Sequence, residues 1–201
     1  MSLKIENLKE NSELRSLSRD QLRGKWSLPI GLCFVTYLII GAPGSVPFIG
    51  SIASLILSGP MLLGLMIFFL KLTRNQEISF SMGFSGFNYF GKAAGIYLLA
   101  ALFTFLWALL LIIPGIIKAL SYSQALYILA DNPDTGFLEA INKSKSMMDG
   151  AKGKLFLLGL SFIGWAILSV LSCGIGFLWL IPYMQTSFAN FYEDLKANYT
   201  E

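Results

Sequence analysis

The side chains best suited to chemistry in this sequence lie inside its apolar stretches. Two segments, near residues 115–130 and 177–192, are largely apolar but each carries several polar residues. This candidate intramembrane polar site consists of Lys118, Tyr122, Gln124, Tyr127, Tyr183, Gln185 and Asn190. Polar groups are costly in hydrocarbon, so they usually occur there where they line a pathway, bind a partner or join helices. The pattern predicts either a shared polar cavity between the two segments or hydrogen bonds between the helices.

Lys118 is the charged member of this set. It lies one helical turn after Pro114, close to a predicted helix end. A lysine in that position can contact a substrate inside the membrane, or it can bury its stem and extend its ammonium group to the interface. Both interpretations are open at the level of sequence.

Groups that would support catalysis are scarce. The sequence contains no histidine, which removes the commonest general base and metal ligand. It also lacks a glycine-rich phosphate loop and a metalloprotease motif. The acidic pairs Asp131 with Asp134 and Glu193 with Asp194 are typical of solvated loops or helix caps. We therefore expect no catalytic residue, no metal and no cofactor, and a function other than catalysis.

A second set of side chains is suited to lipid headgroups. Arg15, Arg19 and Arg23 share one side of a predicted helix, while Leu14, Leu17 and Leu22 would face hydrocarbon. The predicted headgroup contacts are Arg15, Arg19, Arg23, Lys25, Lys92, Lys143, Lys145, Lys152 and Lys154. The expected partners are anionic lipids on the cytoplasmic side, or another membrane protein. Nucleic acid is not expected, because no basic cluster is interleaved with aromatic residues on a soluble domain.

Membrane-spanning helices must position these side chains, as the composition indicates. Apolar residues make up 55% of the sequence, charged residues 13%, and the mean hydropathy is +0.64. Residues 26–70, 93–117 and 155–192 contain no Asp, Glu, Lys or Arg. Uncharged apolar stretches of this length are typical of transmembrane helices. The sequence predicts an all-α, polytopic membrane protein with a single transmembrane domain over residues 1–201.

Glycine and proline divide these stretches into hairpins. The first stretch exceeds the roughly 20 residues of one crossing, and residues 41–50 form its turn. The last stretch is divided in the same way at residues 172–176. The predicted spans are approximately 26–41, 51–70, 93–113, 115–130, 155–171 and 177–192.

The middle stretch admits more than one interpretation. A tight turn at Ile113-Pro114-Gly115 gives a hairpin here too, which is the second of three in chain order. One long kinked helix instead gives five crossings. Residues 114–130 could also form a re-entrant half helix. Six crossings place 14 of 15 basic residues on the cytoplasmic side, with both termini. Five crossings would place the four lysines of residues 131–154 outside. Charge therefore favours six spans.

Three Gly-Lys pairs indicate an internal repeat. The pairs are Gly24-Lys25, Gly91-Lys92 and Gly153-Lys154. Each pair follows a segment with amphipathic spacing and precedes an apolar stretch, so the predicted unit is an interfacial helix and a hairpin. In the second unit, Phe80, Phe84 and Phe87 would form the apolar stripe of that helix. The units are approximately residues 11–70, 79–130 and 134–192.

Several ordered motifs resemble those of a known family. They are Leu110–Lys118, Ser121-Tyr122, Tyr127–Pro133, Ser144–Gly150 and Gly176–Tyr183. Together they resemble the bacterial membrane family catalogued as domain of unknown function 975 and, more distantly, the membrane domain that accompanies some glycerophosphodiester phosphodiesterases. The resemblance implies a multi-spanning protein of the bacterial plasma membrane and supplies no catalytic residues. Its signature would be the segment from Pro114 to Pro133.

Two functions are favoured by these features, and a third, an intramembrane enzyme, would need a cavity in which Asp131 or another carboxylate faces bound lipid. The first is a non-enzymatic module that binds lipid or another membrane protein, as amphipathic helices and a shortage of catalytic groups indicate. The second is a small transporter or flippase with a polar pathway along the fourth and sixth spans. A cavity beside Lys118 would favour the second function.

Overall fold

The chain folds as a helical bundle. The computed structural model describes residues 8–45 and 49–199. It is 82% helix, with no strand in these described ranges, which confirms the predicted all-α class. The α-helices in chain order are α1 (Asn11–Leu22), α2 (Ser27–Gly41), α3 (Ile49–Thr73), α4 (Phe90–Leu110), α5 (Ile112–Tyr122), α6 (Ala125–Asp131), α7 (Phe137–Met147), α8 (Lys152–Leu160), α9 (Ile163–Leu171) and α10 (Phe177–Asn198). Among the described residues, the 3₁₀ helix Ala42–Ser45 lies between α2 and α3, and the 3₁₀ helix Phe80–Tyr89 lies before α4.

Within the described part of the chain, four helical stretches are long and apolar enough to cross a membrane. They are Gly50–Thr73, Phe80–Leu110, Ile112–Asp131 and Lys152–Leu171. The pair α1 and α2 passes the same test together but is bent by 104°, which gives up to five candidate spans. Many apolar side chains on these stretches are exposed, for example Leu110 and Leu171. Such a surface is typical of an integral membrane protein.

The chain reverses direction between α4 and α5 within one residue. Leu111 has an extended backbone between the two helices, and Gly115 packs against Ala108 on the preceding helix. The predicted turn at Ile113-Pro114-Gly115 is therefore misplaced, and a single kinked helix is wrong. Pro114 instead lies in the first turn of α5, where a missing N–H removes no helical hydrogen bond.

The segment before α4 differs from the predicted interfacial helix. Phe80–Tyr89 is a 3₁₀ helix that continues directly into α4 and packs along α3. A side chain at Gly86 would collide with the backbone of Pro60, and one at Gly64 would collide with the backbone of Gly83. A 3₁₀ helix has three residues per turn, so Gly83 and Gly86, the two glycines of Phe80–Tyr89, lie on the same side of it. Of the three phenylalanines predicted as an apolar stripe, Phe84 and Phe87 lie together on another side, whereas Phe80 shares the side of the glycines.

Helices α1 and α7 occupy the positions predicted for the first and third interfacial helices. Each is followed by a glycine with a left-handed backbone, Gly24 (φ +76°) and Gly150 (φ +81°), which glycine adopts without strain. Gly91 and Gly153, the predicted counterparts of Gly24, lie inside α4 and α8. In local conformation, the counterpart of Gly24 in the third unit is therefore Gly150.

The apolar side of α1 faces protein. Leu14 and Leu22 are fully buried in the core, so the expectation that they face hydrocarbon is wrong. Helix α1 packs mainly on α10 and also contacts α3 and α8. The apolar stripe of an amphipathic helix can be buried by neighbouring helices as well as by lipid, and here the helices cover it.

Most of the core lies toward one end of the bundle, which we call the Asp131 end. Arg74 follows α3, Asp131 ends α6 and Lys196 lies in the last turn of α10, and the three side chains meet there. Large side chains that are fully buried include Phe68, Phe69, Phe162, Phe191, Leu70 and Leu72. The opposite end, with the turns at Ala42–Ser45, Leu111 and 172–176, carries most of the strongly exposed apolar side chains.

Candidate functional site

The structure separates the predicted intramembrane polar site into several places. Lys118 lies with its Nζ 4.6 Å from the ring centroid of Trp107 on α4, within the range of a cation–π contact. Tyr122 also faces α4, where its ring is 6.1 Å from that of Phe103. Neither residue lines the cavity around Gln124. Lys118 therefore takes part in packing within the second hairpin.

Three of the predicted residues line one cavity. Gln124, Tyr127 and Gln185 surround a space of about 440 Å³ between α5, α6, α8 and α10, which we call the glutamine cavity. Its other lining residues are Met66, Leu120, Ser123, Leu155, Phe156, Gly159, Leu160 and Phe188. The lining is thus apolar with a few uncharged polar groups, as is usual for small-molecule sites. The structure therefore has a mainly apolar cavity between the fourth and sixth predicted spans, with Gln124 and Gln185 in its lining and without Lys118.

A break in the fourth predicted span holds Gln124 in place. Helix α5 ends at Tyr122 and α6 begins at Ala125. The hydroxyl of Ser144 on α7 donates to the carbonyl oxygen of Ser121 (2.7 Å) and accepts from the backbone N–H of Gln124 (3.2 Å). Ser144 is fully buried. One side chain therefore satisfies both backbone groups, which a break would otherwise leave unpaired in an apolar interior.

Asn190 belongs to a polar contact between α1 and α10, which we call the α1–α10 seam. Its Nδ2 donates to Ser18 Oγ (3.0 Å) and to Gln21 Oε1 (2.7 Å). Ser187 donates to the same Ser18 hydroxyl at 2.9 Å. Gln21 also donates to the carbonyl oxygen of Thr73 at the end of α3. Asn190 therefore forms hydrogen bonds between helices, but its partners lie on α1 and not on the other predicted polar segment.

Tyr183 lines a second cavity, where Arg19 meets three tryptophans. The space is about 370 Å³, and we call it the tryptophan cavity. Its lining residues are Arg19, Trp26, Trp165, Leu168, Ser169, Gly176, Trp179, Leu180 and Tyr183. An Arg19 guanidinium N–H donates to the hydroxyl of Tyr183 at 3.3 Å. Arg19 is the charged residue of an otherwise mostly apolar lining.

The other side chains predicted to contact headgroups differ in their partners and in their exposure. Arg15 donates to the carbonyl oxygen of Ser161 (3.4 Å), at the break between α8 and α9. Lys92 donates to the carbonyl oxygens of Pro133 (2.7 Å) and Asp134 (3.1 Å). Arg15 and Lys92 therefore form hydrogen bonds between separate segments of the bundle. Among the remaining members, Arg23, Lys25 and Lys145 are exposed, Lys152 pairs with Asp149, and Lys143 and Lys154 are half-buried.

Sequence patterns did not indicate the ionic cluster at the Asp131 end. Arg74 pairs with Asp131 (2.7 Å) and Glu193 (2.7 Å), and Lys196 pairs with the other oxygen of Asp131. Tyr192 donates to that oxygen at 3.3 Å. Partial burial acts to lower the pKa of Arg74, but the hydrogen bonds with both carboxylates outweigh it and raise the pKa. The cluster joins the ends of α3, α6 and α10, so its role is structural.

Comparison with known proteins places the chain in a family. The sequence model described as "Protein of unknown function (DUF975)" matches residues 1–121 and 109–199. The chain belongs to this family. The predicted resemblance is thereby confirmed, and the family itself has no assigned function. No curated protein and no solved structure matches the chain.

Proposed function

We propose that this member of the DUF975 family is a lipid-binding module of the bacterial plasma membrane, with the tryptophan cavity as a site for anionic lipid. The observation that supports it is the position of Arg19, at a cavity otherwise lined mostly by apolar and aromatic side chains. A phospholipid has the matching chemistry, since its phosphate suits the guanidinium group and its acyl chain suits the tryptophans. The proposal includes no catalytic step.

The hydrogen bonding of Arg19 supports this role. An arginine has five N–H donors, and the contact with Tyr183 uses one of them. Among the described residues, no carboxylate forms an ion pair with Arg19. Its side chain is exposed at the mouth of the cavity. Arg19 is therefore able to form a bidentate contact with a phosphate group without breaking an ion pair.

Membrane topology is part of the same proposal. We propose six crossings in three hairpins, with both termini in the cytoplasm, because this arrangement places nearly all basic residues inside. Three successive sets of a short helix and two longer helical segments support a threefold repeat: α1 to α3, Phe80–Tyr89 to α6, and α7 to α10. In this topology Arg19 meets headgroups of the cytoplasmic leaflet, where anionic lipids attract basic residues.

The test compares phosphatidylglycerol with phosphatidylcholine. Binding of each lipid to the purified full chain is measured by native mass spectrometry, for the unchanged protein, Arg19→Gln and Arg23→Gln. Arg23 is a matched control, because it is exposed directly after the end of α1 and does not line the cavity. We expect Arg19→Gln to weaken phosphatidylglycerol binding about tenfold and Arg23→Gln to leave it nearly unchanged. Equal losses in both variants would contradict a defined site.

The glutamine cavity favours a second candidate function, a small transporter or flippase. Its polar lining comes from the fourth and sixth predicted spans, as a pathway along those helices requires. Because Lys118 lies outside the cavity, transport would depend on Gln124 and Gln185 instead. Movement of fluorescent lipid between leaflets of reconstituted vesicles tests this function. A rate equal to that of protein-free vesicles would exclude it.

A further inference from the structure

Gln124 carries a buried hydrogen-bond acceptor without a partner. The residue is 2% exposed and lines the glutamine cavity, and its Oε1 has no hydrogen-bond partner. Its backbone N–H is bonded to Ser144, as described above. Unpaired polar atoms are uncommon in folded interiors and costly in an apolar setting. A ligand that satisfies this atom would therefore be stabilised in the cavity.

The orientation of the Gln124 amide follows from its neighbour. The hydroxyl of Ser123 donates its single hydrogen to the carbonyl oxygen of Leu120 at 2.8 Å. Toward Gln124 at 2.8 Å, that hydroxyl can act only as an acceptor, so it faces the donor Nε2. The free atom of the amide is accordingly the oxygen, and the missing partner must be a donor.

The rest of the lining specifies the remainder of the ligand. No charged side chain lines the glutamine cavity, so a charged headgroup would lose its hydration without gaining an ion pair. Apolar side chains from α3, α5, α8 and α10, among them Met66, Leu120, Leu155 and Phe188, provide surface for an acyl chain. The volume of about 440 Å³ lies within the range of pockets that bind small molecules.

We propose that the glutamine cavity binds a neutral lipid with a free hydroxyl group, of the diacylglycerol class, which donates its hydroxyl hydrogen to Gln124 Oε1. The site shares no lining residue with the tryptophan cavity, so it does not depend on the anionic-lipid function. The bond from Ser144 to the helix break fixes the backbone of Gln124 before the ligand arrives. Such pre-organisation lowers the cost of binding.

The experiment uses a diacylglycerol and the same lipid with its hydroxyl methylated. Binding to the purified full chain is measured by native mass spectrometry. We expect the methyl ether to bind about tenfold more weakly than the alcohol, as the loss of one hydrogen bond predicts. In Gln124→Leu the alcohol should bind about as weakly as the ether. Equal binding of the two lipids to the unchanged protein would overturn the proposal.

A second variant tests the cavity without altering Gln124. Gly159 lines the glutamine cavity, and a Cβ at this position would meet nothing within 4 Å, so Gly159→Leu fills the space without a backbone clash. We expect it to abolish binding of both lipids. Gly153→Leu on the same helix is the matched control, because its Cβ is equally free and it does not line the cavity. Retained diacylglycerol binding in Gly159→Leu would also overturn the proposal.

The two lipid sites can fail separately. Arg19→Gln should leave diacylglycerol binding unchanged, and Gly159→Leu should leave phosphatidylglycerol binding unchanged. Loss of phosphatidylglycerol binding in Gly159→Leu would show that the two cavities do not act independently, and would contradict the assignment of a separate neutral-lipid site.

Discussion

The two ends of the bundle are held together by different interactions. At the Asp131 end, ion pairs and the α1–α10 seam join residues that are far apart in sequence, over a core of buried aromatic and aliphatic side chains. At the opposite end, contacts such as those of Lys118 with Trp107 and Gly115 with Ala108 stay within one hairpin. The ion pairs that join α3, α6 and α10 thus lie at the Asp131 end, whereas these two contacts at the opposite end join the consecutive helices α4 and α5.

Helix α10 shows this difference along its own length. Its first turns carry exposed residues such as Leu178 and Trp179, whereas Phe191 and Leu195 near its other end are fully buried. Its polar residues follow the same division, because Thr186, Ser187 and Asn190 are all buried. A single helix therefore passes from a surface suited to lipid into the core of the protein.

The largest effect on the free energy of unfolding is expected at the contact between α3 and the 3₁₀ helix Phe80–Tyr89. Gly86→Ala places a methyl group against the backbone of Pro60, and we expect a loss of about 2–3 kcal/mol in the free energy of unfolding. Gly91→Ala is the control, since a Cβ there meets nothing within 4 Å. It should be neutral or stabilise by up to about 1 kcal/mol. Unfolding in bilayer discs, followed by circular dichroism, measures both variants, and equal values would contradict the close packing.

An intermediate effect is expected in the α1–α10 seam. Asn190→Leu leaves Ser18 and Gln21 without this partner, and we expect a loss of about 1–2 kcal/mol in the free energy of unfolding. The same change at Asn142, which is exposed on α7, should cost less than about 0.5 kcal/mol. In the double variant with Ser18→Ala, the cost should be smaller than the sum of the single costs. Strict additivity would show that the two side chains do not interact.

The smallest effect is expected at the opposite end. Lys118→Ala removes the cation from Trp107, which should cost about 0.5–1 kcal/mol in the same unfolding measurement. Trp107→Leu in the Lys118→Ala background should add no further loss from this pair. A larger loss of unfolding free energy in Lys118→Ala than in Asn190→Leu would contradict the difference between the two ends, because it would place a major stabilising contact outside the Asp131 end.

Local patterns predicted much of the fold. The apolar stretches, the turn near Cys173-Gly174 and the existence of α1 and α7 all follow from composition and spacing over a few residues. The 3₁₀ form of Phe80–Tyr89 could not be predicted in this way. Its backbone is shaped by contact with Pro60 on α3, and the periodicity of its phenylalanines is compatible with an α-helix.

The candidate sites were predictable only in part. Gln124 and Gln185 stood out as polar residues in apolar segments, and the structure places both at one cavity. Arg19 stood out as a basic residue, but its place beside Trp165 and Trp179 depends on how α1 packs on the third hairpin. Trp165 and Trp179 lie more than a hundred positions after Arg19 in the sequence, so no local pattern could reveal that they line the same cavity.

The α1–α10 seam also has a consequence for biosynthesis. Ser18 meets Ser187 and Asn190 across separations of 169 and 172 positions, so the ribosome makes α1 long before its partners on α10. Until α10 has been made, Ser18 and Gln21 lack their partners on that helix, and the seam cannot close. Contacts of such long range slow the final step of folding. A product that ends before Ser187 would therefore lack the seam, and the Ser18 hydroxyl would keep only its hydrogen bond to the carbonyl oxygen of Leu14.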